Sequence, residues 1–256
     1  MRRPLVFVTD YGRDDSYAAA LVAAAWRTEP HLQCIDGTHG VPPGDALAAA
    51  YHLKALALAF DNLVVFCAVV DPGVGTSRRA IAVELDGVAC VGPDNGLVSY
   101  IWEETPPGLR RCVELMVPEV ASSTFHGRDV FAPTAARVAA GTMIEDTGEP
   151  AGDPMVLGEA FARRELSTLH GRVAVVDHFG NAITTIRDID VADSRVVRVS
   201  WDGGETATVV NTYEEIGDGV GALFGSAGHL EVAARRGPAS AHGGPAGHQD
   251  VTVETL

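Results

Sequence analysis

The chain has 256 residues, 46% of them hydrophobic, which is enough for a substantial buried core. Thirty-four Asp and Glu against nineteen Lys and Arg give a formal charge of −15, a field that repels polyanions and argues against a nucleic-acid partner. No apolar run reaches the roughly 18 residues of a membrane span, and Met1-Arg2-Arg3-Pro4 leads into a strand-like run rather than a signal-peptide core, so a cytoplasmic protein with no membrane partner is expected.

In chain order, residues 5–9 (Leu-Val-Phe-Val-Thr) form a β-branched and aromatic run, followed by the polar loop Asp10 to Ser16. The alanine-rich stretch Tyr17 to Arg27 predicts a helix. The pattern repeats with a strand from Leu32 to Ile35, a loop, a helix from Asp45 to Phe60 capped by Asp45, and the apolar strand Leu63 to Val70. Strands alternating with helices predict a mainly parallel sheet with helices on its faces. Ala80-Leu85 and Val88-Val91 flank Asp86-Gly87, which reads as a two-residue hairpin turn. After Gly92-Pro93-Asp94-Asn95-Gly96 a further helix is expected from Val130 to Ala140. Residues 142–164 lack periodicity and read as a linker or surface excursion.

From His170 the pattern changes to short strand-like runs separated by Gly and Asp: Val173-Val176, Ala182-Ile186, Val196-Trp201, Ala207-Asn211, Val220-Phe224, Leu230-Ala233 and Val251-Thr255. The expected fold is thus an α/β domain over residues 1–165 and a smaller all-β, barrel-like domain over 166–256. The Gly-, Pro- and His-rich stretch 237–248 reads as a mobile loop whose two histidines lack metal-site spacing. Cys34, Cys67, Cys90 and Cys112 form no Cys-x-x-Cys pair, and Cys67 and Cys90 read as buried free thiols.

Two stretches carry the strongest chemical signal. Asp71-Pro72-Gly73-Val74-Gly75-Thr76-Ser77-Arg78-Arg79 follows a buried strand, so Asp71 falls at a strand's carboxyl end, where open α/β sheets place ligands. Phe125-His126-Gly127-Arg128-Asp129 offers an imidazole. Brought together, Asp71, Arg78 and His126 would surround one small space with an acid, a cation and a titratable ring, able to hold and polarise a water. The bland alternatives are a plain turn for the first stretch and, for the second, a histidine satisfied by Asp129. Asp10 ends the first strand too early to cap the following helix, whereas Asp15 or Ser16 could cap it. A carboxylate placed like Asp10 suits a ribose diol. Asp177-His178-Phe179-Gly180-Asn181 is a turn that also presents a carboxylate, an aromatic face and an amide. No Gly-x-Ser-x-Gly, His-Glu-x-x-His or Gly-x-x-x-x-Gly-Lys-Ser/Thr motif occurs, which disfavours serine-nucleophile, zinc-peptidase and P-loop chemistry.

Together with Thr9-Asp10-Tyr11-Gly12, Gly92-Pro93-Asp94-Asn95-Gly96 and Ser226-Ala227-Gly228, these stretches resemble in order and spacing the S-adenosyl-L-methionine (SAM) hydroxide adenosyltransferases, SAM hydrolases related to the fluorinases and chlorinases. The resemblance spans nearly the whole chain. It implies a homotrimer with each active site between the α/β domain of one subunit and the β domain of its neighbour. It also implies displacement at ribose C5′ by water or hydroxide, releasing adenosine and L-methionine. SAM is then the substrate, with no cofactor and no metal.

On that resemblance the water-activating set falls on Asp71, Arg78 and His126, with Arg79 as the alternative if the register slips by one. Asp10 matches the ribose-diol carboxylate, and Asp15 and Asp177 match positions at the methionine end. Phe179, Asn181 and Ser226 match the pocket contributed by the β domain, including its adenine contacts. The resemblance leaves open whether Asp71 or His126 accepts the proton. Asp71 places an anion where a halide would have to bind, and the long insertion of the fluorinase branch is missing between the strands joined by Asp86-Gly87, so water is the expected nucleophile. Ala227 stands where fluorinase-type enzymes have an arginine. The alternatives to SAM hydrolysis are a SAM- or adenosine-binding sensor with little turnover, and a SAM-dependent halogenase of the same fold.

Overall fold

The computed structural model describes residues 2–61, 63–191 and 195–256. The chain divides into two compact units, one ending at Leu157 and the other beginning at Gly158. The first is built on a seven-stranded mixed sheet with strand order β2-β1-β3-β5-β4-β6-β7. Its parallel half comprises β1 (Leu5–Thr9), β2 (Cys34–Thr38), β3 (Val64–Val69) and β5 (Val88–Pro93). β1 and β3 are buried at every position, the signature of strands covered on both faces. Helices α1 (Tyr17–Thr28), α2 (Ala46–Ala59), α3 (Ser99–Glu104) and α4 (Ala132–Ala140) belong to this unit. Asp45 caps α2 by accepting the Ala48 N–H at 2.9 Å, as expected, whereas Ser16 stands at the α1 cap position without a side-chain bond.

β4 (Ala80–Leu85) meets β5 through the expected two-residue turn, with Asp86 and Gly87 at φ 49° and 94°. Positive φ at both central residues matches the twist of the flanking strands. The antiparallel half, β4, β6 (Arg110–Leu115) and β7 (Gly148–Pro150), completes the sheet. Residues 142–157 are no free linker: β7 pairs with β6, the Met155 N–H donates to Asp94 at 2.7 Å and the Leu157 N–H to Ser99 at 2.9 Å.

The second unit is antiparallel, with strand order β12-β11-β15-β9-β10-β14-β13 and β8 (Arg163–Glu165) paired to β9. These strands are β9 (Thr168–Val176), β10 (Ala182–Arg187), β11 (Val196–Trp201), β12 (Gly204–Thr206), β13 (Val220–Phe224), β14 (His229–Ala234) and β15 (Asp250–Thr255). The ends of this path are tied by Thr206 Oγ1 to the Val220 carbonyl, the Ala222 N–H to the Thr208 carbonyl and the Val210 N–H to the Ala222 carbonyl, at 3.0, 2.8 and 3.0 Å. The result is a nearly closed barrel filled by Leu169, Val173, Ile186, Val199, Leu230, Val232 and Val251. These ties cover part of the edges of β12 and β13. The strand expected over 207–211 is replaced by β12 and a single bridge from Val209 to Ala222. Within 237–248, residues Ala239–His242 form a 3-10 turn with Ala239 fully buried. No helix among the described residues is long and apolar enough to cross a membrane.

Candidate active site

β1, β2 and β3 are parallel neighbours, so the loops leaving their carboxyl ends lie side by side. Those loops carry Asp10, Gly44 and Asp71, and they meet Phe125, His126 and Gly127 around a cavity of about 350 Å3. That volume is within the range of small-molecule sites. Two glycines permit the approach. A Cβ on Gly75, which sits at φ 76°, would overlap the Ser123 carbonyl oxygen, and one on Gly127 would overlap the Tyr11 hydroxyl.

Asp71, Arg78 and His126 come together. Arg78 donates from Nε to Asp71 Oδ1 at 2.9 Å and from Nη2 to Asp71 Oδ2 at 2.5 Å, a two-point ion pair with both side chains nearly buried. The same Nη2 lies 2.9 Å from His126 Nδ1. A guanidinium can only donate, so Nδ1 is the acceptor and the neutral ring carries its proton on Nε2. The Arg78 guanidinium also sits 5.1 Å from the centre of the buried Phe131 ring, which limits how it can turn. Burial pushes the His126 pKa below the ordinary histidine value, and the positive charge of Arg78 adds to the shift.

Of the two arginines, Arg78 is the one that meets Asp71 and His126, whereas Arg79 turns away to pair with Asp94 at 2.6 Å. The reading of His126 as satisfied by Asp129 does not hold. Asp129 pairs with Arg128 and accepts the Ser122 N–H at 2.9 Å, which leaves His126 to Arg78.

Asp10 lines the cavity and accepts the Gly44 N–H at 2.9 Å. Burial raises its pKa, the Gly44 bond offsets part of that, and the nearby Asp71 charge raises it further. Asp15 is exposed and lies outside the residues lining the cavity. Tyr11 and Phe125, to which no role was assigned from sequence, form part of the wall and pack edge to face at 5.8 Å. His39, also unassigned, is 2% exposed and bridges Thr9 Oγ1 at 2.8 Å and Asp36 Oδ1 at 3.3 Å. Its backbone carbonyl accepts the Gly12 N–H, so it braces the Asp10 loop. The only sequence signal for it was its place after the strand that neighbours β1.

In the second unit, Asp177 organises its own turn. Its carboxylate accepts the backbone N–H groups of Phe179 and Asn181 at 2.9 and 2.8 Å, and Asn181 Nδ2 at 2.9 Å. Asn181 is thereby buried, while Phe179 stays 74% exposed. Ser226 is exposed on the turn between β13 and β14. Beneath that turn lies Glu231, a buried carboxylate that sequence reading passed over. Tyr213 Oη donates to it at 2.8 Å, and burial raises its pKa.

Residues 5–148 match the model of the SAM hydroxide adenosyltransferase N-terminal domain, and residues 171–252 match that of the C-terminal domain. The chain belongs to the SAM hydroxide adenosyltransferase family. It is 41% identical over 253 residues to the (R)-S-adenosyl-L-methionine hydrolase of Thermus thermophilus, covering 93% of this chain and 94% of that one. It is 44% identical over 182 residues to the enzyme of the same name from Salinispora tropica, covering 68% and 69%. Among solved structures, an uncharacterized conserved protein from Thermotoga maritima superposes with a TM-score of 0.87 at 32% identity, covering 97% of this chain and 99% of that one. For this member of the family, no group of three or more His, Cys, Asp or Glu that could hold a metal ion occurs among the described residues.

Proposed function

We propose that the protein hydrolyses S-adenosyl-L-methionine to adenosine and L-methionine, with Asp71, Arg78 and His126 as the water-activating set. The observation that carries this reading is the Asp71–Arg78–His126 cluster at a cavity that also holds Asp10, in a chain of this family. A sulfonium is a strong leaving group, so the reaction requires no leaving-group acid, metal or cofactor. The water oxygen forms a bond to ribose C5′ as the C5′–sulfur bond breaks, its electron pair passes to sulfur to give the neutral thioether, and the water releases a proton. Holding the water in line and out of bulk solvent can lower the barrier by about 7–11 kcal/mol.

The hydrogen bonds favour Asp71 as the proton acceptor. His126 Nδ1 is occupied by Arg78, and Nε2 already carries a hydrogen in the neutral ring. The Asp71 oxygens each accept one Arg78 bond and keep lone pairs for the water. Arg78 fixes the orientation of the carboxylate, and His126 fixes Arg78. Asp10 is proposed to hold the ribose diol. Asp15 and Asp177 are proposed at the methionine end, with Phe179, Asn181 and Ser226 forming the nucleoside pocket. The protein is further proposed to work as a cytoplasmic homotrimer whose active sites combine the first unit of one subunit with the second unit of its neighbour. The high density of negative charge suits a cationic substrate.

The test is chromatography of SAM incubated with the protein. Equimolar adenosine and methionine are expected, with Asp71→Ala lowering kcat by about 10²–10⁴-fold, the range of a general base. A wild type that yields no adenosine, or an Asp71→Ala variant with undiminished turnover, would sink the reading. High chloride is expected to leave adenosine as the product.

A further inference from the structure

The segment Gly92-Pro93-Asp94-Asn95-Gly96 comprises the last two residues of β5 and the turn after it and lines none of the cavity, yet it touches both ends of the loop that carries Asp71 and Arg78. At the loop's start, Asn95 Nδ2 donates to the Val70 carbonyl at 2.7 Å, on the peptide that leads into Asp71. At its end, the Asp94 N–H donates to the Arg79 carbonyl at 3.0 Å, and Asp94 Oδ2 accepts Arg79 Nε at 2.8 Å. The Asp94 side chain is only 7% exposed, and its other oxygen takes the Met155 N–H at 2.7 Å. Arg79 Nη2 reaches on to the Asp153 carbonyl at 2.9 Å. Two adjacent residues therefore fix the two ends of one loop against the residues 153–155.

The consequence falls on Arg78. Its guanidinium must reach Asp71 and His126 at once, and the direction it leaves the chain is set by the backbone on either side. Arg79 held at Asp94 sends one arginine outward, so its neighbour points inward.

We propose that Asp94 and Asn95 are positioning residues that hold the Asp71 and Arg78 ends of the loop in the geometry needed for water activation. The proposal rests on the reading of Asp71, Arg78 and His126 as the water-activating set. Neither residue touches that set through its own side chain, so their effect passes through the backbone of Val70 and through Arg79.

The experiment compares full-length wild type with Asp94→Asn and with Asn95→Ala, reading thermal melting, kcat and KM for SAM, and the NMR titration of the His126 ring. Both variants are expected to lose about 10- to 100-fold in kcat with KM changed by less than about threefold, as for a misplaced reacting group. The His126 titration is expected to move up towards the ordinary histidine value as Arg78 withdraws. The sign is diagnostic for Asp94→Asn, because deleting that negative charge would by itself move His126 down. A folded variant whose His126 titration is unmoved or lowered overturns the proposal, whatever its kcat. If Asp94→Asn fails to fold, Asn95→Ala, which alters no charge, decides by the same readout. If the wild type releases no adenosine, the hydrolysis reading falls, and the His126 titration still decides whether the loop is held from Asp94 and Asn95.

Discussion

His126 shows how one proton can govern three side chains. Neutral, it offers Nδ1 to Arg78. Protonated, it becomes a second cation facing the guanidinium, with no acceptor left, and Arg78 loses one of the contacts that aim it at Asp71. Burial and the Arg78 charge both hold the His126 pKa below the ordinary value of about 6.5, so the ring stays neutral at physiological pH. kcat/KM is therefore expected to be flat from about pH 7 to 9 and to fall on an acid limb whose pKa lies below about 6.5. The same group links pH to stability. In the unfolded chain the ring binds its proton more readily, so His126 costs nothing above about pH 6.5 and destabilises the fold progressively as pH drops below it. A pH–rate profile of wild type beside His126→Asn checks this: the limb belongs to wild type and is expected to be missing or displaced in the variant. A wild-type limb above about pH 6.5 would count against the assignment.

At the scale of the element, the loop between β3 and β4 is the working part. Gly75 sits at φ 76° with the Ser123 carbonyl where a Cβ would be, so Gly75→Ala combines backbone strain with an overlap. Strain of this kind costs about 1–3 kcal/mol. The expected result is a lower melting temperature and a larger fall in kcat than in KM effect, because displacing residues 122–124 moves His126 off Arg78. Wild-type melting and turnover in Gly75→Ala would show that the two loops do not depend on this approach. Much of this element was legible in advance. A continuous apolar strand leading into Asp71, and glycines that shape the turn, are local signals, as is the Asp86-Gly87 hairpin. The partner of His126 was not legible, because Asp129 is nearer in sequence than Arg78 and only the meeting of two loops separates the candidates. β6 escaped notice for a related reason. Its residues Arg110-Arg111-Cys112-Val113-Glu114-Leu115 alternate weakly, and pairing to β4 makes them a strand. α3 is only six residues long, too short to show a helical period.

For the whole molecule, the distribution of the proposed site residues poses the sharpest question. Asp10, Asp71, Arg78 and His126 belong to the first unit, whereas Asp177, Phe179, Asn181 and Ser226 belong to the second. The barrel-like unit has a filled interior, so the Asp177 turn and the exposed Phe179 and Ser226 can act only on something outside it. If each active site pairs the first unit of one subunit with the second unit of another, lesions in the two units should complement. Asp71→Ala and Asp177→Ala chains are each expected to be nearly inactive alone. Co-expressed with distinguishable tags and purified as mixed assemblies, they should recover activity. With random mixing in a cyclic trimer, about one quarter of the sites would join two intact halves, which sets the expected recovery. Sites built within single chains would show no recovery, since every chain carries one lesion, and that outcome would overturn the intersubunit arrangement while leaving the hydrolytic chemistry standing. Sedimentation of the wild type fixes the assembly size independently, and a monomer that turns over SAM would remove the trimer from the mechanism.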